Sequence, residues 1–301
     1  MTPHPPRPRR RVSALVLTTA LLLAVVLGLA GCSRVRLTYG SADLLLASYA
    51  DGYLGLDRDQ RDRWEPELQR VLAVHRREEL PYLAAFFDRA LQASRAGFQN
   101  ADATCLVDGI RDLYRRHARL AVKLAVPLLA DLTPAQVRAL KQRFARELAE
   151  DEEDFKDGGR ERELRRRAIR YARSIEEWTG PLGADQKALV EELTRRMPDS
   201  RVAVLAYRTR KRAELVTLLE SGATAARLED FMTAWLVDYR DLPPELDQAG
   251  DRLEERVVEL VSRLGKSLSG EQQAHLKQRL TGLRQDLLKL QRQPRLAPAT
   301  C

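Results

Sequence analysis

The sequence of 301 residues is poor in the side chains on which most enzyme chemistry rests. Its four histidines, His4, His75, His117 and His275, are scattered, and no HExxH or Cys/His pair at zinc spacing occurs. There is no GxGxxG, no phosphate-binding P-loop and no G-x-S-x-G nucleophile elbow. No run alternates apolar and polar residues as a half-buried strand would, which argues against a sheet. Carboxylates are plentiful, so a hydrolase using Glu78 or Glu79 with a distant Asp stays open. Yet nothing marks one pair above the rest. The expectation is a protein that is not an enzyme and has no metal or cofactor.

Charge of one sign is also scarce. The formal net charge is +8, and the first 31 residues supply +4 of it through Arg7, Arg9, Arg10 and Arg11. The remaining surplus is too small for the footprint of a nucleic-acid binder. Charged residues make up 31% and aromatics 6%. A mixture dominated by Arg, Leu, Ala and Glu with few β-branched runs reads as helical throughout.

One long apolar run is present. It extends from Val12 to Ala30, broken only by Ser13, Thr18, Thr19 and Gly28, and ends in Leu29-Ala30-Gly31-Cys32. A basic start, an apolar stretch and a small-residue exit make a secretory signal peptide over residues 1–31. An uncleaved transmembrane helix is the alternative, since the run approaches the roughly 20 residues of a span. The small pair before Cys32 has no reason in that reading. LAGC resembles a bacterial lipobox, which implies cleavage between Gly31 and Cys32 and a covalent lipid on Cys32. Ser33 in the sorting position implies the periplasmic face of the outer membrane. The arginine run leaves export by the twin-arginine route open beside general secretion. Residues 32–40 are expected as a short tether, spanning at most roughly 26–29 Å if Ser33 to Gly40 is extended. Arg34 and Arg36 stand where anionic headgroups would attract them.

Helical spacing predicts a domain over 41–291. The expected helices are 41–54, 57–79, 82–98, 100–130, 133–156, 160–179, 184–197, 200–220, 224–239, 244–264 and 269–291. Pro81 is expected to break or restart the chain, and Pro127 to kink a helix end. Short connections imply antiparallel neighbours, so the fold class is all-α, a multi-helix bundle or stack. Residues 292–301 read as a flexible tail. Cys105 and Cys301 remain after Cys32, and the periplasm would permit them to pair. The run 151–159, DEEDFKDGG, places Phe155 where a calcium loop needs an oxygen, so it reads as a solvated helix end. The arginines at 165, 166, 167, 170 and 173 read as a solvated basic face.

Two patterns stand out. His75 to Pro81, HRREELP, is either a helix end or a charged partner surface made by His75, Arg76, Arg77, Glu78 and Glu79. Leu-x-x-x-Gln occurs four times, at Leu56/Gln60, Leu132/Gln136, Leu182/Gln186 and Leu268/Gln272. In LTPAQ, Thr133 fits an N-cap, Pro134 the first helical position, and Gln136 the return arm of a capping box. Leu132 and Val137 complete a hydrophobic staple. The other three copies keep the Leu and Gln but lose the staple, so their leucines are expected to pack on another helix.

The start CSRVRLTYGSADLLL, with Cys32, Ser33, Arg34, Tyr39, Gly40, Ala42 and Asp43, together with HRREELP resembles a family of bacterial lipoproteins of unknown function. That resemblance implies a helical, membrane-anchored envelope protein and carries no known activity. LTPAQ resembles the LTxxQ motif of the Spy/CpxP-type periplasmic proteins, which implies a chaperone-like, client-binding role. The expected function is therefore a non-enzymatic binding or assembly accessory protein. Its partners would be the membrane, envelope proteins or unfolded clients, and not nucleic acid. A structural scaffold is the alternative.

Overall fold

A computed structural model describes the backbone of residues 32–156 and 159–298, and the side chains of 35–153 and 159–298. The expected signal peptide with Gly31, and the chain end with Cys301, lie outside the described residues, as does the Cys32 side chain. The described chain is all helix, with no strand among the described residues. Its elements are α1 (Cys32–Gly40), α2 (Ala42–Leu54), α3 (Arg58–Val74), a π turn (His75–Glu79), α4 (Leu80–Arg95), α5 (Asn100–Ala130) and α6 (Pro134–Lys156). Then follow α7 (Gly159–Thr179), α8 (Ala184–Arg195), α9 (Arg201–Glu220), α10 (Ala225–Leu236), α11 (Pro244–Ser267) and α12 (Gly270–Leu290). Among the described residues no helix is long and apolar enough to cross a membrane.

The helices stack along α5, which at 31 residues is about 46 Å long. Its first half gives Leu106 and Leu113 to a core built mainly from α4 and α12, including Leu80, Phe87 and Leu287. Its second half gives Val122, Val126 and Leu129 to a core with Leu215 of α9 and Leu228 and Trp235 of α10. Smaller cores join α7, α8 and α11 through Val190, Leu193 and Leu264, and α2 and α3 to the end of α5 through Trp64 and Leu68. Each helix thus buries one stripe against a neighbour, as its 3.6-residue spacing requires.

Two departures from the sequence reading matter for function. Residues 32–40, expected as a short tether, are helical, because Val35 and Tyr39 fall on one face and pack onto the core of α4 and α12. Nine helical residues rise only about 14 Å. The second departure is at Pro81, where α3 and α4 form one helical rod. The Leu80 amide donates back to His75 O across the π turn. A proline inside an α-helix lacks its donor and presses on the carbonyl four residues earlier. The wider π turn lies just before Pro81 and absorbs that crowding.

The turn from α4 to α5 also sets a surface. Phe98 has a positive φ of 52° and rests on Gly265 of α11. A Cβ at 265 would fall 2.5 Å from the Phe98 ring, so only glycine admits this approach.

Candidate functional site

The four Leu-x-x-x-Gln segments are helix starts, and they meet in pairs. The Gln60 amide donates to Gln136 Oε1 at 3.1 Å, and the Gln136 amide donates back to Gln60 Oε1 at 2.7 Å. Each also caps its own helix: Oε1 of Gln60 accepts from the Asp57 amide, and Oε1 of Gln136 from the Thr133 amide. Each then donates to the carbonyl just before the other motif's leucine, Gln60 to Asp131 O at 2.6 Å and Gln136 to Gly55 O at 2.8 Å. Gln186 and Gln272 repeat this arrangement, bonding each other at 2.9 Å both ways. Gln186 reaches Ser267 O, and Gln272 reaches Pro181 O at 2.7 Å. A glutamine amide offers two donors and two acceptor sites. In these clasps all four are used. The first clasp joins α3 to α6, and the second joins α8 to α12.

Capping follows the sequence reading in three copies. Asp57, Thr133 and Ser269 accept from the amide three residues on. Gly183 has no side chain to offer, so only the return bond from its amide to Gln186 Oε1 forms. The leucines pack as expected: Leu56, Leu182 and Leu268 are buried, and Leu132 is partly buried among three cores.

HRREELP is not a helix end. It forms the π turn, and π turns recur at functional sites. His75 is held at both ring nitrogens, Nδ1 by the Tyr39 hydroxyl at 2.9 Å and Nε2 by His117 Nε2 at 3.1 Å. His117 Nδ1 in turn lies 2.6 Å from Leu113 O and donates there. Burial, then the neighbouring His117 and Arg76, push His75 down to about 3. Glu79 is buried and receives two bonds from Arg116, at 2.5 and 3.0 Å. The Arg116 guanidinium also covers the Tyr82 ring at 3.5 Å. Arg76 lies over the Tyr39 ring, 5.3 Å from its centroid. Only Arg77 and Glu78 face solvent, and they pair with each other at 2.6 Å. The expected partner surface is thus turned largely inward, onto a knot of buried polar groups.

The segment expected as a flexible tail covers this knot as far as Pro298. The Ala297 amide donates to Pro81 O at 3.1 Å, and Ala297 is buried. Arg295 donates to Arg77 O at 3.4 Å. That carbonyl stands four residues before Pro81, which has no N–H to give it. The tail therefore satisfies a group that the proline leaves open. Residues 299–301 lie outside the described residues.

Over residues 52–242 the sequence matches a family of unknown function, DUF6279. The chain belongs to that family. No curated protein and no solved structure matches it. The DUF6279 region contains the first clasp and the π turn whole. It contains Gln186 but not Gln272, so the second clasp closes from inside the family region to outside it. Tyr39, which bonds His75, also lies before it.

Two cavities flank these features. One, of about 270 Å³, lies between α4 and α5 and is walled by Phe86, Arg89, Gly109, Arg116 and Arg119, with Pro298 of the tail. Cys105 lines it as well, is held in a disulfide, and accepts from Arg89 Nε at 3.3 Å. Its partner sulfur is not among the described side chains, so the expected pairing with Cys301 falls outside them. The other cavity is an open groove of about 460 Å³ between α7 and α11. Tyr171, Ile175, Trp178, Val257 and Leu264 line it, and Arg170 stands at its edge.

Three residues were not visible as special in the sequence. Arg167, read as part of a solvated basic face, is buried and donates to Met197 O at 3.1 Å beside Thr194 O and Pro198 O. It satisfies the open carbonyls at the end of α8. Asp286 is buried in α12 with Oδ2 unpartnered, and burial raises its carboxyl above the usual range. Gly265 is the third, since a lone glycine in a helix gives no sign of what will lean on it.

Proposed function

We propose that this chain is a lipoprotein of the cell envelope that acts by binding, as a chaperone-like or assembly accessory protein. The apolar groove between α7 and α11 carries the reading. Its volume falls in the range of roughly 300–1,000 Å³ typical of binding sites, and aromatic and aliphatic side chains line it. Arg170 at the rim, already paired with Glu163 at 2.7 Å, gives it a polar edge. Such a surface suits an extended apolar segment of an unfolded or partly assembled envelope protein. LAGC before α1 supports an acylated Cys32, and Ser33 supports the periplasmic face of the outer membrane. The LTxxQ resemblance agrees with a client-binding role.

The test uses purified chain and an unfolded client. Stoichiometric protein should slow the client's aggregation, and Ser174→Trp, which fills the groove from its exposed rim, should remove that effect with the helical signal intact. A chain that never slows aggregation would sink the reading. Mass spectrometry of the N-terminal peptide tests acylation of Cys32 separately.

A further inference from the structure

The apolar side chains that the fold leaves uncovered are not evenly spread. Nine large ones are exposed among the described residues, and four of them, Leu37, Leu44, Leu45 and Tyr49, lie in α1 and α2. Leu37 and Leu44 are 74% and 70% exposed. The two helices are nearly one: the Ser41 amide donates to Leu37 O and Thr38 O, and the Leu45 amide donates to Ser41 O. Along this stretch the exposed positions from 36 to 52 hold a single charge, Arg36, and otherwise Leu, Tyr, Gly and Ser.

The opposite face is fully used. Val35 and Tyr39 pack onto the α4–α12 core, and Leu46, Ala47, Ala50 and Leu54 pack toward α3 and α5. So α2 is apolar on both sides, and the chain covers only one. A helix apolar all round is stable where something covers its second face. The two acids of this stretch are taken up by side chains of α3: Asp43 accepts from Gln69 at 3.2 Å and Asp51 from Arg61 at 3.3 Å.

We propose that the uncovered face of α1 and α2 lies in the surface of the lipid bilayer, with Leu37, Leu44 and Leu45 inserted among the acyl chains and Arg36 and Tyr49 at the headgroups. This rests on the reading of Cys32 as the anchor. The position of that residue is what selects lipid over other occupants. Leu37 lies five residues into the helix that Cys32 opens, about 8 Å along it, and Leu44 and Leu45 stand in the first turn of α2, just past Ser41. A helix lying in the interface buries its apolar face about 5–10 Å deep, within reach of the acyl boundary from such a start. Tyrosine and arginine suit the headgroup level, one amphipathic and the other attracted by anionic lipid.

The experiment uses the full chain in membranes of the cells that make it, with a benzophenone amino acid in place of Leu37, Leu44, Leu45 or, as a control, the equally exposed Val202 of α9. Phospholipid adducts are expected at the three leucines and not at Val202. Leu45→Asp should abolish the adducts at position 44 and leave the circular dichroism unchanged. Adducts to another protein or to a second copy of the chain would overturn the inference, as would lipid adducts equal to those at Val202. An alkaline carbonate wash of the same membranes separates the two readings. A chain that stays bound without lipid adducts keeps the anchor and loses the inference. A chain that washes out yet carries them loses the anchor and keeps the inference.

Discussion

Gln60 and Gln136, 76 residues apart, exchange two amide hydrogen bonds while each caps the helix it begins. Gln136→Glu separates those roles. Glutamate keeps the oxygen that accepts from Thr133, as in an ordinary capping box, but has no N–H for Gly55 O or Gln60 Oε1. It should cost about 1–3 kcal/mol, seen as a lower urea midpoint at unchanged slope. In a double-mutant cycle with Gln60→Glu the costs should be strongly non-additive. Simple additivity would show that the two amides are not coupled.

Stability should depend on pH through His75. Its imidazole titrates near 6.5 when unfolded and is pushed down to about 3 in the fold. Between those values the unfolded chain binds a proton that the folded chain refuses. The contribution of neutral His75 is therefore complete above about pH 6.5 and shrinks as pH falls toward 3, by about 1.4 kcal/mol per pH unit. Urea titrations from pH 7 down to pH 4 should show this slope, and His75→Phe should flatten it. An unchanged slope in the variant would place the proton elsewhere.

The Glu79–Arg116 pair should be costly to break and cheap to replace whole. Arg116→Met leaves a buried carboxylate alone and should lose about 2–4 kcal/mol. Glu79→Gln with Arg116→Met together should lose less than Arg116→Met by itself. Thermal melts of the variants decide this, and a double variant worse than both singles would contradict it.

A chain ending at Gln291 should fold with its helices intact but open more readily at the π turn. It loses the bonds from Ala297 to Pro81 O and from Arg295 to Arg77 O. Amide exchange should quicken across residues 75–82 and not in α9 or α10. Equal exchange in both chains would mean that the tail merely rests on the surface.

Much of the fold was readable because helices announce themselves locally. The expected range 100–130 for α5 is met at both ends, and Asp57, Thr133 and Ser269 cap as their neighbours suggest. What could not be read was partnership. Nothing in LDRDQ says that its glutamine will meet that of LTPAQ rather than that of LGADQ. The one clue was that Leu and Gln persisted where the staple did not. The density of HRREELP pointed to the right place but to the wrong architecture. A proline is normally read as a stop, and a π turn that carries the rod past it leaves no pattern of its own. Arg167 and Asp286 look like any surface charge until a helix end or a core closes over them.

The core between α4 and α12 has a temporal meaning. Leu80, Leu83, Phe87 and Leu91 find their cover in Leu276, Leu280, Leu283 and Leu287, at the far end of the chain. Until those last residues arrive, a quarter of the way along, α4 presents a bare apolar stripe. The first clasp needs no residue beyond Gln136, but the stripe on α4 has its cover only once the chain is made through Leu287. Such a chain completes its fold from the tail backwards, and a premature end would leave unfinished the part that was made first.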